Sequence, residues 1–224
     1  MRINRNIAAV LALIALAFAA GRAGWLGAGP EASAGPMQEQ EMADEMPPDM
    51  PPDLSPEMMK AMKMGAPGEH HEYLNTLVGA WDGTFRIRME PDAEPMISKG
   101  TITREWVLDG RFIREVVESN TDWGPFRAIS YLGYNNVDGQ YESVWMESVS
   151  TGIYYSTGSY NPDTQIMRTR ATYRNPVTGK VEYSRYISDL SDPDRHVFEG
   201  YMTGQDGKEY KSFHGVMERR TKKK

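Results

Sequence analysis

The sequence predicts an all-β fold, a closed antiparallel up-and-down barrel of about ten strands with a short N-terminal helix. Segments in which apolar and polar residues alternate recur from residue 80 to the end of the chain. Short turn signals such as Asp-Gly and Asn-Pro separate these segments. No helical periodicity lies between them, which excludes alternating strand and helix units. Closure is favoured over a sandwich because it removes exposed edges from long, consecutively connected strands.

The barrel domain is predicted over residues 67–220, and it begins with a short helix. Apolar residues recur at helical spacing over Glu69–Val78, and Gly79 ends this segment. The first strand, Ala80–Glu90, follows directly and alternates with a period of two. The helix is therefore expected to close one end of the barrel.

Nine further strands are predicted between turns rich in Gly, Pro, Asn and Asp, residues that favour tight connections. Their predicted bounds are Met96–Leu108, Arg111–Glu118, Phe126–Tyr134, Tyr141–Ser150, Ile153–Tyr160, Gln165–Tyr173, Val181–Ser188, His196–Met202 and Glu209–Arg219.

The N-terminal residues 1–34 have the pattern of an export signal. Arg2 and Arg5 precede an apolar run over residues 7–20, and Ala32-Ser33-Ala34 fits a cleavage site. The run is shorter than the roughly 20 residues that cross a bilayer. A cleaved signal is favoured, with an uncleaved membrane anchor as the alternative. Either case predicts an exported protein, periplasmic or secreted.

The composition of residues 35–66, which is rich in methionine, proline and acidic residues, predicts a disordered linker. Seven acidic residues and no Lys or Arg lie between Met37 and Met59. A short amphipathic helix over Pro56–Met64 is compatible with such a linker. The linker also holds eight of the fifteen methionines of the chain, and thioethers are Cu(I) ligands. Their irregular spacing favours a spacer over a copper site.

Composition excludes several classes of function. The chain has no cysteine, so disulfides, thiolate metal sites and thiol catalysis are excluded. From Gly65 onward there are 20 Lys and Arg against 23 Asp and Glu, a near-neutral balance that argues against a nucleic-acid partner. No nucleophile elbow, phosphate loop, zinc motif or calcium loop is found. No metal and no cofactor are predicted.

The candidate site is the barrel lumen. If the alternating faces of three strands point inward, large rings and a few charged groups converge there, as a small-molecule pocket requires. These candidate ligand-binding residues are Arg104, Trp106, Arg114, Trp145 and Glu147. An inward arginine is able to hold a carboxylate with two hydrogen bonds. A slip of one residue in strand register would turn each of these faces outward.

The leading prediction of function is the binding of a small, largely apolar molecule in the lumen, without catalysis. Two alternatives stay open. One is an isomerase- or hydrolase-like enzyme that uses Glu147 with a lumen arginine. The other is a structural or interaction module of the cell envelope. A membrane partner is expected only through an uncleaved N-terminal segment, and the sequence does not define the oligomeric state.

Gly79-Ala80-Trp81 after a short helix, with Arg219 or Arg220 ending the last strand, resembles the calycin (lipocalin-like) arrangement. In that superfamily an arginine of the last strand packs across the tryptophan at the closed end. The resemblance implies that Trp81 is structural and that function lies toward the other end. Some small barrels of this superfamily bind haem through a histidine near the C-terminus. For His214, strand alternation instead favours a surface histidine.

A longer resemblance, over about residues 67–220, is to a bacterial family known as the domain of unknown function 1579. It implies the barrel but no activity, and Asp109 stands where family members more often carry Gly. The segments that carry it are Glu69-His70 with Leu77–Gly83, Pro95–Gly100 with Thr103–Phe112, Gly133–Asn136 with Tyr141, Trp145 and Ser150–Gly152, and Asn175–Lys180 with Phe198-Glu199 and Gly207–Glu209.

Overall fold

The computed structural model describes residues 55–122, 124–175, 179–204 and 206–220. The predicted export signal and the linker up to residue 54 lie outside these ranges. Helix α1, Pro56–Met64, lies within the predicted linker, and the Ser55 hydroxyl caps it by accepting a hydrogen bond from the Met58 amide. This helix belongs to a different compact unit from the barrel. Within the described ranges, no helix is long and apolar enough to cross a membrane.

The barrel unit contains two short helical segments followed by ten strands. Helix α2 spans Glu69–Glu72, and a 3-10 helix spans Tyr73–Leu77. The strands are β1 Gly79–Ile87, β2 Met96–Val107, β3 Phe112–Thr121, β4 Gly124–Asn135, β5 Gln140–Glu147, β6 Tyr154–Asn161, β7 Ile166–Arg174, β8 Val181–Asp192, β9 Arg195–Thr203 and β10 Glu209–Arg219.

The strands form one closed antiparallel barrel. Each strand pairs with the next along the chain, and β1 pairs with β10, with Trp81 opposite Arg219. Each of the ten described strands therefore has two hydrogen-bonded neighbours, and none of them has an exposed edge. The predicted up-and-down barrel of about ten strands is confirmed.

The short helices cover one end of the barrel, which we call the closed end; the opposite end is the far end. Leu74 and Leu77 are buried there against Ile113 and Tyr141. The Tyr141 hydroxyl also donates a hydrogen bond to the His70 carbonyl oxygen, at 2.9 Å. The helical segments are therefore packed into the barrel rather than laid on its surface, as predicted.

Trp81 and Arg219 form the centre of the closed end. The fully buried Trp81 donates its indole N–H to the Leu77 carbonyl at 2.9 Å, and the Arg219 guanidinium lies 4.1 Å from the ring centre. Arg219 also donates to the carbonyl oxygens of Val78 and Thr76. Gly79 has φ +128°, and a Cβ there would lie 2.8 Å from the Arg219 Nη1 atom. The predicted packing of Arg219 or Arg220 across Trp81 is confirmed, and the arginine is Arg219.

The inward faces agree with the prediction on β2 and β5 but not on β3. Ile113 is buried, whereas Arg114, which was predicted to point inward, lies on the outer face with Phe112 and Val116. The reason is the connection between β2 and β3. Val107 pairs with Phe112, so four residues lie between the paired ends of the two strands. Directly paired residues point to the same face of a sheet. Even-numbered residues of β2 therefore share a face with odd-numbered residues of β3.

Candidate functional site

A cavity of about 160 Å³ lies inside the barrel. It extends from Leu77 at the closed end to Thr121 near the far end. Large apolar side chains contributed by most of the strands form much of its wall: Phe85, Ile102, Val117, Phe126, Trp145, Phe198 and Met217. The volume is close to the ~150 Å³ of apolar cavities that accept one aromatic ring. The lumen is thus partly filled and retains room for a small molecule.

Small hydroxyl side chains complete the cavity wall. The hydroxyls of two wall residues, Ser98 and Ser119, are 2.5 Å apart, and the hydroxyl of the wall residue Ser143 lies 2.6 Å from that of buried Ser156. Their short side chains leave space between the aromatic rings, and their mutual hydrogen bonds lower the cost of burying them. The hydroxyl residues of the wall are Ser98, Ser119, Thr121, Ser130, Ser143, Thr169 and Ser188.

One ion pair is built into the wall. Arg104 on β2 and Glu115 on β3 are cross-strand partners, and the Arg104 Nε atom lies 2.5 Å from a Glu115 carboxylate oxygen. Arg104 also directs Nη2 toward the Met217 sulfur at 3.4 Å, and its guanidinium lies 6.0 Å from the Trp81 ring. Its buried Nη1 atom has no hydrogen-bond partner among the described residues.

Glu147 is buried at the far end of β5, beside the cavity residue Trp145. One carboxyl oxygen accepts the Trp145 indole N–H at 3.0 Å, and the other is buried without a hydrogen-bond partner in the described part of the chain. Burial raises the pKa of Glu147 to about 7, and the bond from Trp145 offsets only part of this effect. Glu147 is therefore protonated in a large share of molecules at neutral pH.

The structure brings together only part of the predicted site. Arg104 and Trp145 line the cavity, and Glu147 lies beside it. Trp106 faces inward but belongs to the closed end, where its indole N–H donates to the Asn75 side chain at 2.8 Å. Arg114 lies on the outer face and pairs with Glu105, so its placement in the lumen was wrong.

The enzymatic alternative required Glu147 to act with a lumen arginine. Among the described hydrogen bonds there is no such pair, because Arg104 is bound to Glu115 and Glu147 to Trp145. Glu115 was not among the predicted site residues. The signal that would have found it is the length of the β2–β3 connection, which sets it opposite Arg104.

The two histidines of the strands differ in environment. His214 lies on β10 with its ring near Glu199, half-buried on the outer side. His196 is fully buried, 4.3 Å from the Trp81 ring, and burial together with nearby Arg104 and Arg219 lowers its pKa to about 4. In the described ranges, no cluster of three or more His, Asp or Glu residues is placed to hold a metal ion.

A closed antiparallel barrel with a short helix over one end and a small cavity inside defines a lipocalin-like β-barrel protein. The chain belongs to the family described as "Protein of unknown function (DUF1579)", whose model matches residues 66–219. No similarity to a curated protein was found.

Solved structures with a similar fold include the following two. Rv2717c from M. tuberculosis has 16% sequence identity and a TM-score of 0.51, over 70% of this chain and 100% of that chain. The S-type phycobiliprotein lyase CPES from Guillardia theta has 14% identity and a TM-score of 0.50, again over 70% of this chain and 100% of that chain. At these identities the likeness concerns the fold alone.

The buried carboxyl of Glu147 gives a first prediction. A carboxyl whose pKa is raised in the folded state contributes fully to stability below pH 4.5, the ordinary pKa of an exposed glutamate. This contribution is lost as the pH rises toward 7, the pKa in the folded protein. Glu147→Gln, which cannot ionise, is therefore expected to gain stability relative to wild type by up to about 3 kcal/mol between pH 4.5 and pH 8.

Urea unfolding of both proteins at the two pH values measures this gain. The titration of His196 is common to both proteins and cancels in the difference. A difference in unfolding free energy that is the same at pH 4.5 and pH 8 would show that Glu147 ionises normally in the folded protein.

Proposed function

We propose that the protein binds one small, largely apolar molecule in the barrel lumen and carries out no chemistry on it. The observation that carries this proposal is the cavity of about 160 Å³, walled mainly by apolar and aromatic side chains. Protein interiors normally pack with few voids larger than a water molecule, so a space of this size in the barrel core is unusual and favours a binding role. A small guest would bury its apolar surface there.

The location of the cavity supports the same proposal. At the closed end Trp81 and Leu74 are fully buried, and Arg219 donates hydrogen bonds to backbone carbonyl oxygens, so this end is filled by packing. Toward the far end, the short hydroxyl residues Ser130 and Ser119 are the cross-strand neighbours of Trp145 and Phe126 in the cavity wall. Concave, mostly apolar sites with a few polar groups are typical of small-molecule binding.

The export signal predicted for residues 1–34 is part of this proposal. The barrel would then meet its ligand outside the cytoplasm, in the periplasm or after secretion.

Toluene is a suitable probe because its single ring matches the cavity volume. We expect it to shift the Trp145 indole N–H resonance in NMR titrations of the wild-type protein. Val117→Phe places a ring in the cavity, since Val117 lines it, and is expected to weaken toluene binding at least tenfold. Added bulk in a core costs typically about 1–3 kcal/mol, and the cavity absorbs part of this strain.

Val116→Phe is the matched control, because Val116 is the neighbouring residue of the same type on the outer face. This variant is expected to bind toluene as the wild type does. Binding that is lost equally in both variants, or no Trp145 shift in the wild type at saturating toluene, would refute lumen binding. Thermal unfolding of both variants confirms that they are folded.

A further inference from the structure

Two ion pairs of opposite orientation lie side by side on the β2–β3 ladder. Arg104 pairs with Glu115 on the inner face, and on the next rung Glu105 pairs with Arg114 on the outer face. The inner side chains are only 11% and 15% exposed, against 39% for Arg114 and 57% for Glu105. The inner pair is therefore part of the cavity wall, and the outer pair has the same chemistry in solvent.

The inner pair adds no net charge to the lining of the cavity. Arg104 and Glu115 are the charged residues among those described as lining it, and they neutralise each other at 2.5 Å. An ionised guest would have to leave water without finding a free counter-charge, which is unfavourable in an apolar interior. Because Glu115 already holds the arginine, a carboxylate guest would compete with a carboxylate in place. The wall thus favours an uncharged guest.

The same pair leaves one donor unused. Arg104 directs Nε to Glu115 and Nη2 toward Met217, while the buried Nη1 atom has no partner among the described residues. A buried donor without an acceptor is costly, so an acceptor supplied by a guest would be favourable. Hydrogen bonds from a charged donor to a neutral acceptor are stronger than those between neutral groups.

We propose that the lumen selects a small uncharged molecule that presents one hydrogen-bond acceptor, such as a ketone or amide carbonyl, to the guanidinium group of Arg104, a residue of the cavity wall. Its apolar body would lie against Trp145 and Phe198 in the cavity. This inference rests on the proposed function, since it names the ligand class of the same cavity.

Three probes of similar size test the proposal. Acetophenone carries a carbonyl, α-methylstyrene replaces that oxygen by a methylene group, and benzoate carries a negative charge. The dissociation constants come from NMR titration of the Trp145 indole N–H. In the wild type we expect benzoate to bind at least tenfold more weakly than acetophenone. The decisive quantity is the affinity ratio of acetophenone to α-methylstyrene.

The variant Arg104→Met/Glu115→Leu replaces the inner pair by apolar side chains, a change that folded proteins often accept. We expect the affinity ratio to fall about tenfold in this variant. The matched control Arg114→Met/Glu105→Leu removes the outer pair and is expected to leave the ratio unchanged. Arg104→Lys is a second test, because it keeps a cation beside Glu115 but removes the guanidinium fork. Its ratio is expected to fall as well.

The outcomes separate this inference from the proposed function. If α-methylstyrene binds but the ratio is the same in all variants, or if benzoate binds best, the lumen binds ligands but the role of Arg104 is wrong. If none of the probes shifts the Trp145 resonance in the wild type, both proposals fail. A ratio that falls equally in the outer-pair control would also overturn the inference.

Discussion

Replacement of Trp81 by alanine is expected to lower the free energy of unfolding by roughly 3–5 kcal/mol, the range for large aromatic side chains removed from a core. Trp81 is fully buried and packs on one cluster with Ile102 and Met217. Its ring also contacts the guanidinium of Arg219 and the imidazole of His196. Alanine would leave a cavity and remove the surface on which this arginine rests.

Two further variants isolate the parts of this effect. Trp81→Phe keeps much of the ring but loses the hydrogen bond to the Leu77 carbonyl, which costs about 1–3 kcal/mol when the acceptor stays buried. Trp106→Ala removes a half-buried tryptophan of the same end and is expected to cost less than Trp81→Ala. Urea unfolding measures all three. A loss below about 1 kcal/mol for Trp81→Ala would contradict its central role at the closed end.

Arg104→Met is expected to lower the free energy of unfolding by about 3 kcal/mol. It leaves the carboxylate of Glu115 buried in the barrel without a counter-charge, and loss of one member of a buried pair typically costs about 3–5 kcal/mol. The lower end of this range is expected, because both side chains keep some contact with solvent.

Arg114→Met is the control for this second prediction. Arg114 makes the equivalent pair with Glu105 on the outer face, where exposed ion pairs contribute within about 1 kcal/mol. Adding Glu115→Leu to Arg104→Met is expected to restore most of the lost stability, because the unpaired charge is then gone. Equal effects of Arg104→Met and Arg114→Met would show that the inner pair is solvated like the outer one.

Several features of the fold follow from local sequence. Turn residues such as Asp109-Gly110 and alternation within each strand predict the number, order and approximate bounds of the strands. The helical spacing over residues 69–78 predicts the segment that closes one end. The pairing of Trp81 with an arginine of the last strand came from a family resemblance, and the structure assigns it to Arg219 rather than to Arg220, which instead pairs with Asp82.

The site was predicted less well, because it depends on which face of each strand points inward. On β5 the alternation placed Trp145 and Glu147 correctly inside. On β3 it placed Arg114 inside and left Glu115 outside, the reverse of the structure. Both faces of β3 carry apolar and charged residues, so the hydrophobic pattern of the sequence does not show which face is buried.

The sequence by itself determined the architecture of this protein, since period-two alternation and turn chemistry are local properties of the chain. The tertiary structure decided the character of the lumen. The length of the β2–β3 connection sets Glu115 opposite Arg104, and closure of the barrel turns both side chains toward the cavity, where their charges cancel. That cancellation depends on register between strands, a property that no single strand encodes.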